Sequence, residues 1–426
     1  MATTAQHPDP LACSSPRAVL IDALAYIGDN PNSTTAENFT SDMKHIQVSI
    51  CTEYPPAPSR LFVHCPNLGT DVFFENPHII CTADGFLLLR IQICGPAVTY
   101  PRDKGDYFIY RPGCPSLQLI PKPPLFHDDQ VGLLPRGELF TIAALSLSIE
   151  GFTLHLFHSE SGIWTVFNKV PVVTVEKQFP IKLPRNPVRL NEHIATTVIT
   201  LGGKNGTMGW VDLWSGILLC DVLTVSPTLR DVPLPLPQSF VKRGKRIDGC
   251  PKPFRGIAVV QGCVKLVELD IYGERLPMHD PETGHINFRI DDWELIQYTK
   301  SSAEVACEDW KLEHTVKASS IGIDQAMHRQ FLKYGLLDET PEGRKLQNLN
   351  TCQPALSLDD TGAIYLLTKT KFMQRKAWVL AVDIMGNKVQ ALSEFGIDRS
   401  LGLSVAYCPS MISCYIKSRA TPESDA

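Results

Sequence analysis

The side chains that could do chemistry are scattered along the chain. His155 and His158 form an H-x-x-H. On a strand, residues three apart point to opposite faces, so this pair cannot ligate one metal without a bulge. His127-Asp128-Asp129 and His279-Asp280 each set an imidazole beside carboxylate. That combination suits cation binding or acid–base work, but both lie in loop-like sequence, where solvated polar groups are the ordinary outcome. Asp291-Asp292 suggests a glycosidase pair, yet neighbours on a strand face opposite ways and cannot flank one bond. Asp359-Asp360 runs into Thr361-Gly362 and reads as a turn. The chain has no G-x-S-x-G and no H-E-x-x-H. GGKNGTMG (202–209) lacks the G-x-x-x-x-G-K-[ST] order and leads into a strand, so it reads as a hairpin or connecting loop. No catalytic, cofactor-binding or metal-ligating residue is assigned, and no cofactor is expected.

One cluster carries a concentrated charge. Lys242, Arg243, Lys245 and Arg246 surround Gly244, with Lys252 and Arg255 following. They come after the Pro-rich VPLPLPQ (232–238), in an expected long loop. Such a patch can contact an anionic partner or direct nuclear import, and the plainer reading is a solvated connection. Over the whole chain 40 basic residues meet 45 acidic ones, a net charge of −5. No global basic field invites nucleic acid.

The 13 cysteines contain no C-x-x-C and offer no paired zinc ligands. They read as buried, reduced thiols of an intracellular protein, cytoplasmic or nuclear. The N-terminus lacks the basic and apolar regions of a secretory signal, and no apolar run approaches the length of a membrane span. No membrane association is expected.

The elements that must position these residues are short strands. The chain has 426 residues, 44% of them hydrophobic, with 33 Pro and 28 Gly spread throughout. That punctuation opposes long helices. A trio of apolar runs recurs, each bounded by Gly, Pro, Asp or Asn. Copies read DGFLLLRIQI, GDYFIYRP and PSLQLIP (84–121); GFTLHLFHS, GIWTVFNK and VPVVTVEK (151–177); and MGWVDLWS, GILLCDVL and PTLRDVPLPLP (208–237). Fainter copies cover 255–299 and 362–395, and 44–65 supplies a sixth. β-Branched and aromatic enrichment at these lengths predicts strands. Tyr110 to Trp164 and Trp164 to Trp214 are separated by 54 and 50 residues, near the period of propeller blades. The expectation is an all-β, propeller-like array of about six three- to four-stranded sheets in one domain, 17–417. Disordered ends are expected over 1–16 and 418–426. A two-domain β-sandwich array is the alternative. One amphipathic helix is expected near 323–335, where Ile323, Met327, Phe331 and Tyr334 recur at helical spacing before Gly335. Its apolar stripe either packs on the β-body or docks a partner.

The order of these segments resembles a plant family, expanded in grasses, known as domain-of-unknown-function family 1618. The carrying stretches are VLIDALAYIGDNPNSTTA (19–36), IQVSICTEYPPAPSRLFVHCP (46–66), CTADGFLLLRI (81–91), YFIYRPGCPSLQLIPKPP (107–124) and, most specifically, 208–237. The likeness runs from about Val19 to about Phe395. The trios are also similar to the propeller-type repeats of plant F-box proteins, but residues 1–45 contain no F-box-like helices. The resemblance implies a fold and no site. A non-enzymatic protein-binding scaffold of unspecified oligomeric state is the expected function. The rivals are a propeller hydrolase with carboxylates at the axial mouth, acting on a glycan or small ester, and a ubiquitin-pathway substrate receptor without an F-box.

Overall fold

The computed structural model describes residues 17–93, 105–121, 126–173, 193–244, 249–301, 309–340, 343–359, 361–396 and 406–416. The expected lead at 1–16 and tail at 418–426 lie outside these. The strands form six small sheets arranged as a six-bladed β-propeller, which replaces the sandwich alternative.

Blade 2 is the simplest: His78–Ala83, Phe86–Ile91, Asp106–Arg111 and Ser116–Ile120, each antiparallel to the one before. Blade 3 is Val131–Arg136, Leu139–Ser148, Gly151–His158 and Ile163–Val170. Blade 4 is Thr197–Gly202, Thr207–Asp212, Gly216–Asp221 and Leu229–Pro233. Blade 5 is Arg255–Val260, Cys263–His279, Ile286–Ser301 and Lys311–Lys317, and blade 6 is Asn350–Leu356, Ala363–Lys369, Ala377–Asp383 and Lys388–Phe395. Blade 1 joins the two ends of the chain. Tyr407–Ser410 is its innermost strand and pairs antiparallel with Val19–Asp22, Leu20 opposite Pro409. Val19–Asp22 then runs parallel to Pro58–His64, followed outward by His45–Cys51 and Ala36–Phe39. The innermost strands of successive blades touch one another around the axis, and Tyr407–Ser410 closes that circle between blades 6 and 2.

The core explains why the second strands read as unbroken apolar runs. A blade has a neighbour on each face, so both faces must be apolar. In Phe86–Ile91, Leu87 and Leu89 enter the layer shared with blade 1, while Phe86 and Leu88 enter the layer shared with blade 3. Trp210 likewise faces blade 3 and Val211 faces blade 5. Six such layers occur among the described residues, one per blade junction.

Three readings from the sequence are corrected. Blade 3 begins at Val131, so GFTLHLFHS and GIWTVFNK are its third and fourth strands. Of the run VPVVTVEK, Val172–Val173 pairs parallel with Leu229–Pro233 of blade 4 and not with blade 3, and residues 174–177 lie outside the described residues. The aromatic spacing matched inequivalent positions, because Tyr110 lies on a third strand, Trp164 on a fourth and Trp214 in a turn. The loop expected around 238–246 begins as a short helix, α1 (Gln238–Arg243). The helix near 323–335 is present as α2 (Gln325–Lys333), and its Phe331, Met327 and Leu332 pack into the layer between blades 5 and 6.

Candidate functional site

At the axial end where the innermost strands begin, charged side chains gather. Arg90 is the next-to-last residue of the second strand of blade 2. It donates to Glu75 at 2.6 Å and to Asp128, just ahead of blade 3, at 3.0 Å. The Tyr107 hydroxyl donates to Asp128 at 3.3 Å. A hydrogen bond from His78, with Arg90 beside it, holds the Glu75 carboxyl down at about 2, against the pull of burial. Lys252, on the approach to blade 5, reaches Asp129 ahead of blade 3 at 2.6 Å, so this pair spans blade 4. Arg255 opens blade 5. It donates to Glu268 at 2.6 Å and to the carbonyls of Leu213 and Pro235 at 3.0 and 2.8 Å, tying blade 5 to the exit of blade 4.

Helix α1 lies on this end of blade 5. Gly244 terminates it with a left-handed φ of +63°, and the Gly244 amide bonds the Phe240 carbonyl at 2.8 Å. Lys242 and Arg243 occupy the last turn, where cations suit the helix dipole. The Gln238 amide donates to Glu268 at 2.6 Å, Lys242 pairs with Glu294 at 3.2 Å, and Arg243 pairs with Asp270. The Arg243 guanidinium also sits 4.1 Å above the Tyr272 ring. Burial, with Asp270 and Glu294 beside it, pushes the Tyr272 hydroxyl up to about 12. Thus the described half of the basic cluster is matched to two carboxylates, Asp270 and Glu294, and the Gln238 amide of α1 holds a third, Glu268. Lys245 and Arg246 lie outside the described residues.

Two further carboxylates at this end are satisfied as well, while burial raises the pKa of Asp231 near His193. Asp22 accepts from the Leu24 amide and the Tyr26 hydroxyl, both at 3.1 Å. Asp212 accepts from the amides of Ile194 and Trp214 at 3.2 and 2.9 Å. Beside it, His193 donates from Nε2 to the Trp210 carbonyl at 2.9 Å, and burial depresses its protonation. An acid–base pair needs a carboxylate free to trade its proton with a substrate. Apart from Asp231, each carboxylate named at this end is held by a cation, a hydroxyl or a main-chain amide. The arrangement is an ionic rim that fixes the blades.

The motifs singled out in the sequence disperse. His155 and His158 sit on regularly paired strand, opposite Ala144 and Thr141, and so on opposite faces. Asp280 caps the turn of the long blade 5 hairpin and meets Lys371 at 3.2 Å. Asp291 pairs with Arg289, whereas Asp292 bonds Ser319. Asp359 binds the Ser357 hydroxyl and the turn at Thr361, and Asp360 is outside the described residues. GGKNGTMG forms the hairpin between Thr197–Gly202 and Thr207–Asp212, with Gly203 and Gly206 at φ of +76° and +64°. No group of three or more metal-ligating side chains occurs among the described residues. No helix among them is long and apolar enough to cross a membrane.

The feature that sequence reasoning missed is an open edge. An outermost strand presents unpaired main-chain groups unless something protects it. The outer strands of blades 1 and 2 lean on each other, with Asn38 donating to the Leu117 carbonyl at 2.6 Å. Blade 4 is covered by Val172–Val173. Blade 6 is covered by the segment before α2, through Gly322 and Val389, and by Gln330. Blade 5 exposes Lys311–Lys317, whose Lys311, Glu313 and Lys317 charge the edge. Blade 3 ends in Ile163–Val170, sequence IWTVFNKV, with one charge. Among the described residues it pairs only with Gly151–His158, and Ile163 and Val166 are 63% and 46% exposed.

Similarities to known proteins are distant. No curated protein matches the sequence. A crystal structure of the β-propeller domain of Myceliophteria thermophila Cps50 (Swd1) aligns at 10% identity over 76% of this chain and 88% of that one, with a TM-score of 0.33. A prolyl endopeptidase aligns at 10% identity over 77% of this chain and 44% of that one, with a TM-score of 0.30. The fold assignment rests on the six sheets and their closed circle. Residues 210–365, from blade 4 to blade 6, match the family model described as protein of unknown function (DUF1618).

Proposed function

We propose that the chain is a non-enzymatic protein-binding scaffold and that blade 3 is where it receives a partner. The observation that carries the reading is the outer strand Ile163–Val170, which among the described residues is paired on one side only, on a ring whose other outer edges are covered or charged. A partner with an extended, β-branched segment can add a strand there. Its main-chain groups would supply the bonds, and its side chains would rest on Ile163 on one face of the sheet and on Val166 on the other. The chain already does this to itself at blade 4, where Val172–Val173 lies along the outer strand. The satisfied ionic rim supports binding over hydrolysis. The family likeness and cysteine usage support an intracellular plant setting.

The test is affinity capture with the full chain, followed by hydrogen-exchange mapping of the recovered complex. The expected result is a reproducible partner that slows exchange across Ile163–Val170. The variant Val166→Lys, which charges the edge, should lose that partner while keeping the parent's melting temperature. A partner retained by Val166→Lys, with no new protection on this strand, would overturn the blade 3 reading. Repeated recovery of the bait alone would overturn the scaffold.

A further inference from the structure

Ring closure here depends on two chain ends, and the C-terminal end is fastened by one short segment. After Tyr407–Ser410 the chain makes a 3-10 turn, Ile412–Tyr415. Ile412 is buried in the layer between blades 1 and 2, and the Ser413 hydroxyl donates to the Arg17 carbonyl at 2.9 Å. Tyr415 then lies across both hairpin turns at this end of blade 2. Its ring rests on Gly85, where an added Cβ would sit 3.1 Å from ring carbons. Its carbonyl rests on Gly113, where an added Cβ would be 1.9 Å from the oxygen. Only glycine allows that main-chain approach.

Each partner of the second contact has a cysteine as its chain neighbour: Cys114 follows Gly113, and Cys414 precedes Tyr415. These are the two exposed cysteines among the ten described; the other eight are buried or half-buried. The reading of uniformly buried thiols fails at these two positions. All ten are reduced in this structure. Cys414 Sγ rests 3.1 Å from the Arg17 carbonyl, a weak contact that it can leave by a side-chain rotation.

We propose that Cys114 and Cys414 form a disulfide clasp that locks the propeller ring. The contact of Gly113 with the Tyr415 carbonyl holds the two cysteine-bearing segments against each other, and rotation of both side chains is what would bring the sulfurs into disulfide geometry. The reaction is exchange with a low-molecular-weight disulfide such as oxidised glutathione. One thiolate attacks a glutathione sulfur, giving a mixed disulfide and releasing one glutathione thiol. The second thiolate then attacks the protein sulfur, forming Cys114–Cys414 and releasing the second glutathione. Two protein thiols are oxidised, and one glutathione disulfide is reduced to two thiols. The bridge would make blades 2 to 6 and the closing strand a covalently closed circuit. Tyr407–Ser410 could then no longer swing away from blade 2.

The experiment treats the reduced full chain with oxidised glutathione, then digests it without reductant. The expected product is one linked peptide pair containing Cys114 and Cys414, reversed by dithiothreitol. Exchange at the amides of residues 407–416 should slow several-fold on oxidation. A Cys114→Ser chain should carry glutathione on Cys414 and show no such slowing. Separate glutathione adducts on Cys114 and Cys414 in the parent chain would overturn the proposal. So would a linked pair with unchanged exchange at 407–416.

Discussion

Arg255 donates to Glu268 at 2.6 Å, and neither side chain reaches solvent. A buried pair is costly to assemble, but costlier to break, because the survivor keeps its charge in a poorly solvating site. Here Arg255 also holds the Leu213 and Pro235 carbonyls, so the pair ties the exit of blade 4 to the entry of blade 5. Glu268→Ala should destabilise the protein by about 3–5 kcal/mol, read as a lower urea midpoint. The double variant Arg255→Met with Glu268→Leu should recover much of that loss. Equal losses in the single and double variants would show that the stranded charge is not the cause.

Helix α1 poses the same question at smaller scale. Asp270 and Glu294 are buried, and Arg243 and Lys242 are their partners from the helix. Arg243→Ala should cost about 2–4 kcal/mol, and Lys242→Ala about 1 kcal/mol or less, since Lys242 is half exposed. Thermal melts of the two variants distinguish them. This bears on nuclear import as a further proposed role of the patch. A loss of nuclear accumulation of a fluorescent fusion on mutating Lys242 and Arg243 counts only if the variant remains folded.

Acid should weaken the rim at Glu75. Its carboxyl is held at about 2, below the ordinary 4.5. The unfolded chain therefore binds this proton more readily than the folded one. The stability it contributes is complete above about pH 4.5 and drains away as pH falls toward about 2. Glu75 is about a third exposed, so the contribution is about 1 kcal/mol or less. Urea midpoints compared between neutral pH and about pH 3 should fall less for Glu75→Gln than for the parent. Identical pH slopes would remove Glu75 from the account.

What was legible in the sequence follows from where each strand lies. Second strands such as Phe86–Ile91 are buried on both faces, so they appear as apolar runs that announce themselves. Innermost strands such as His78–Ala83 and Thr197–Gly202 line the axis half-buried, mix Thr, Cys and His with apolar residues, and carry no aromatic marker. A search for apolar runs therefore passes over them, and a trio read from such runs starts blade 3 two strands late, past Val131–Arg136 and Leu139–Ser148. Prolines did mark exits: Pro121, Pro171 and Pro233 fall at the ends of fourth strands, where the chain leaves a blade. The rim was illegible for another reason. Asp129 and Lys252 are 123 residues apart, and no local pattern announces such a pairing.

Close approach at the axis predicts an intolerance that composition could not. An added Cβ at Gly256, on the innermost strand of blade 5, would lie 2.1 Å from the Pro354 carbonyl oxygen of blade 6. Neither main chain can yield without moving its blade. Gly256→Ala should cost about 1–3 kcal/mol. Gly28→Ala, which would meet nothing within 4 Å, should change stability by less than about 0.5 kcal/mol. Equal melting temperatures for the two variants would contradict the packing described at this junction.

Helix α2 tests whether an apolar stripe read from spacing serves the body or a partner. Asp324 caps it by accepting from the Met327 amide at 2.7 Å, and Gly335 follows its end at a φ of +67°. Phe331 is fully buried between blades 5 and 6, with Met327, Leu332 and Tyr334 beside it, while Arg329 faces solvent. The helix therefore spends its apolar face on the propeller. Phe331→Ala should cost about 3–5 kcal/mol through the cavity it leaves. Asp324→Ala should cost about 1 kcal/mol through the lost cap. Arg329→Ala should change the unfolding midpoint by less than about 0.5 kcal/mol. A stable Phe331→Ala chain that loses a binding partner would mean that the stripe serves docking.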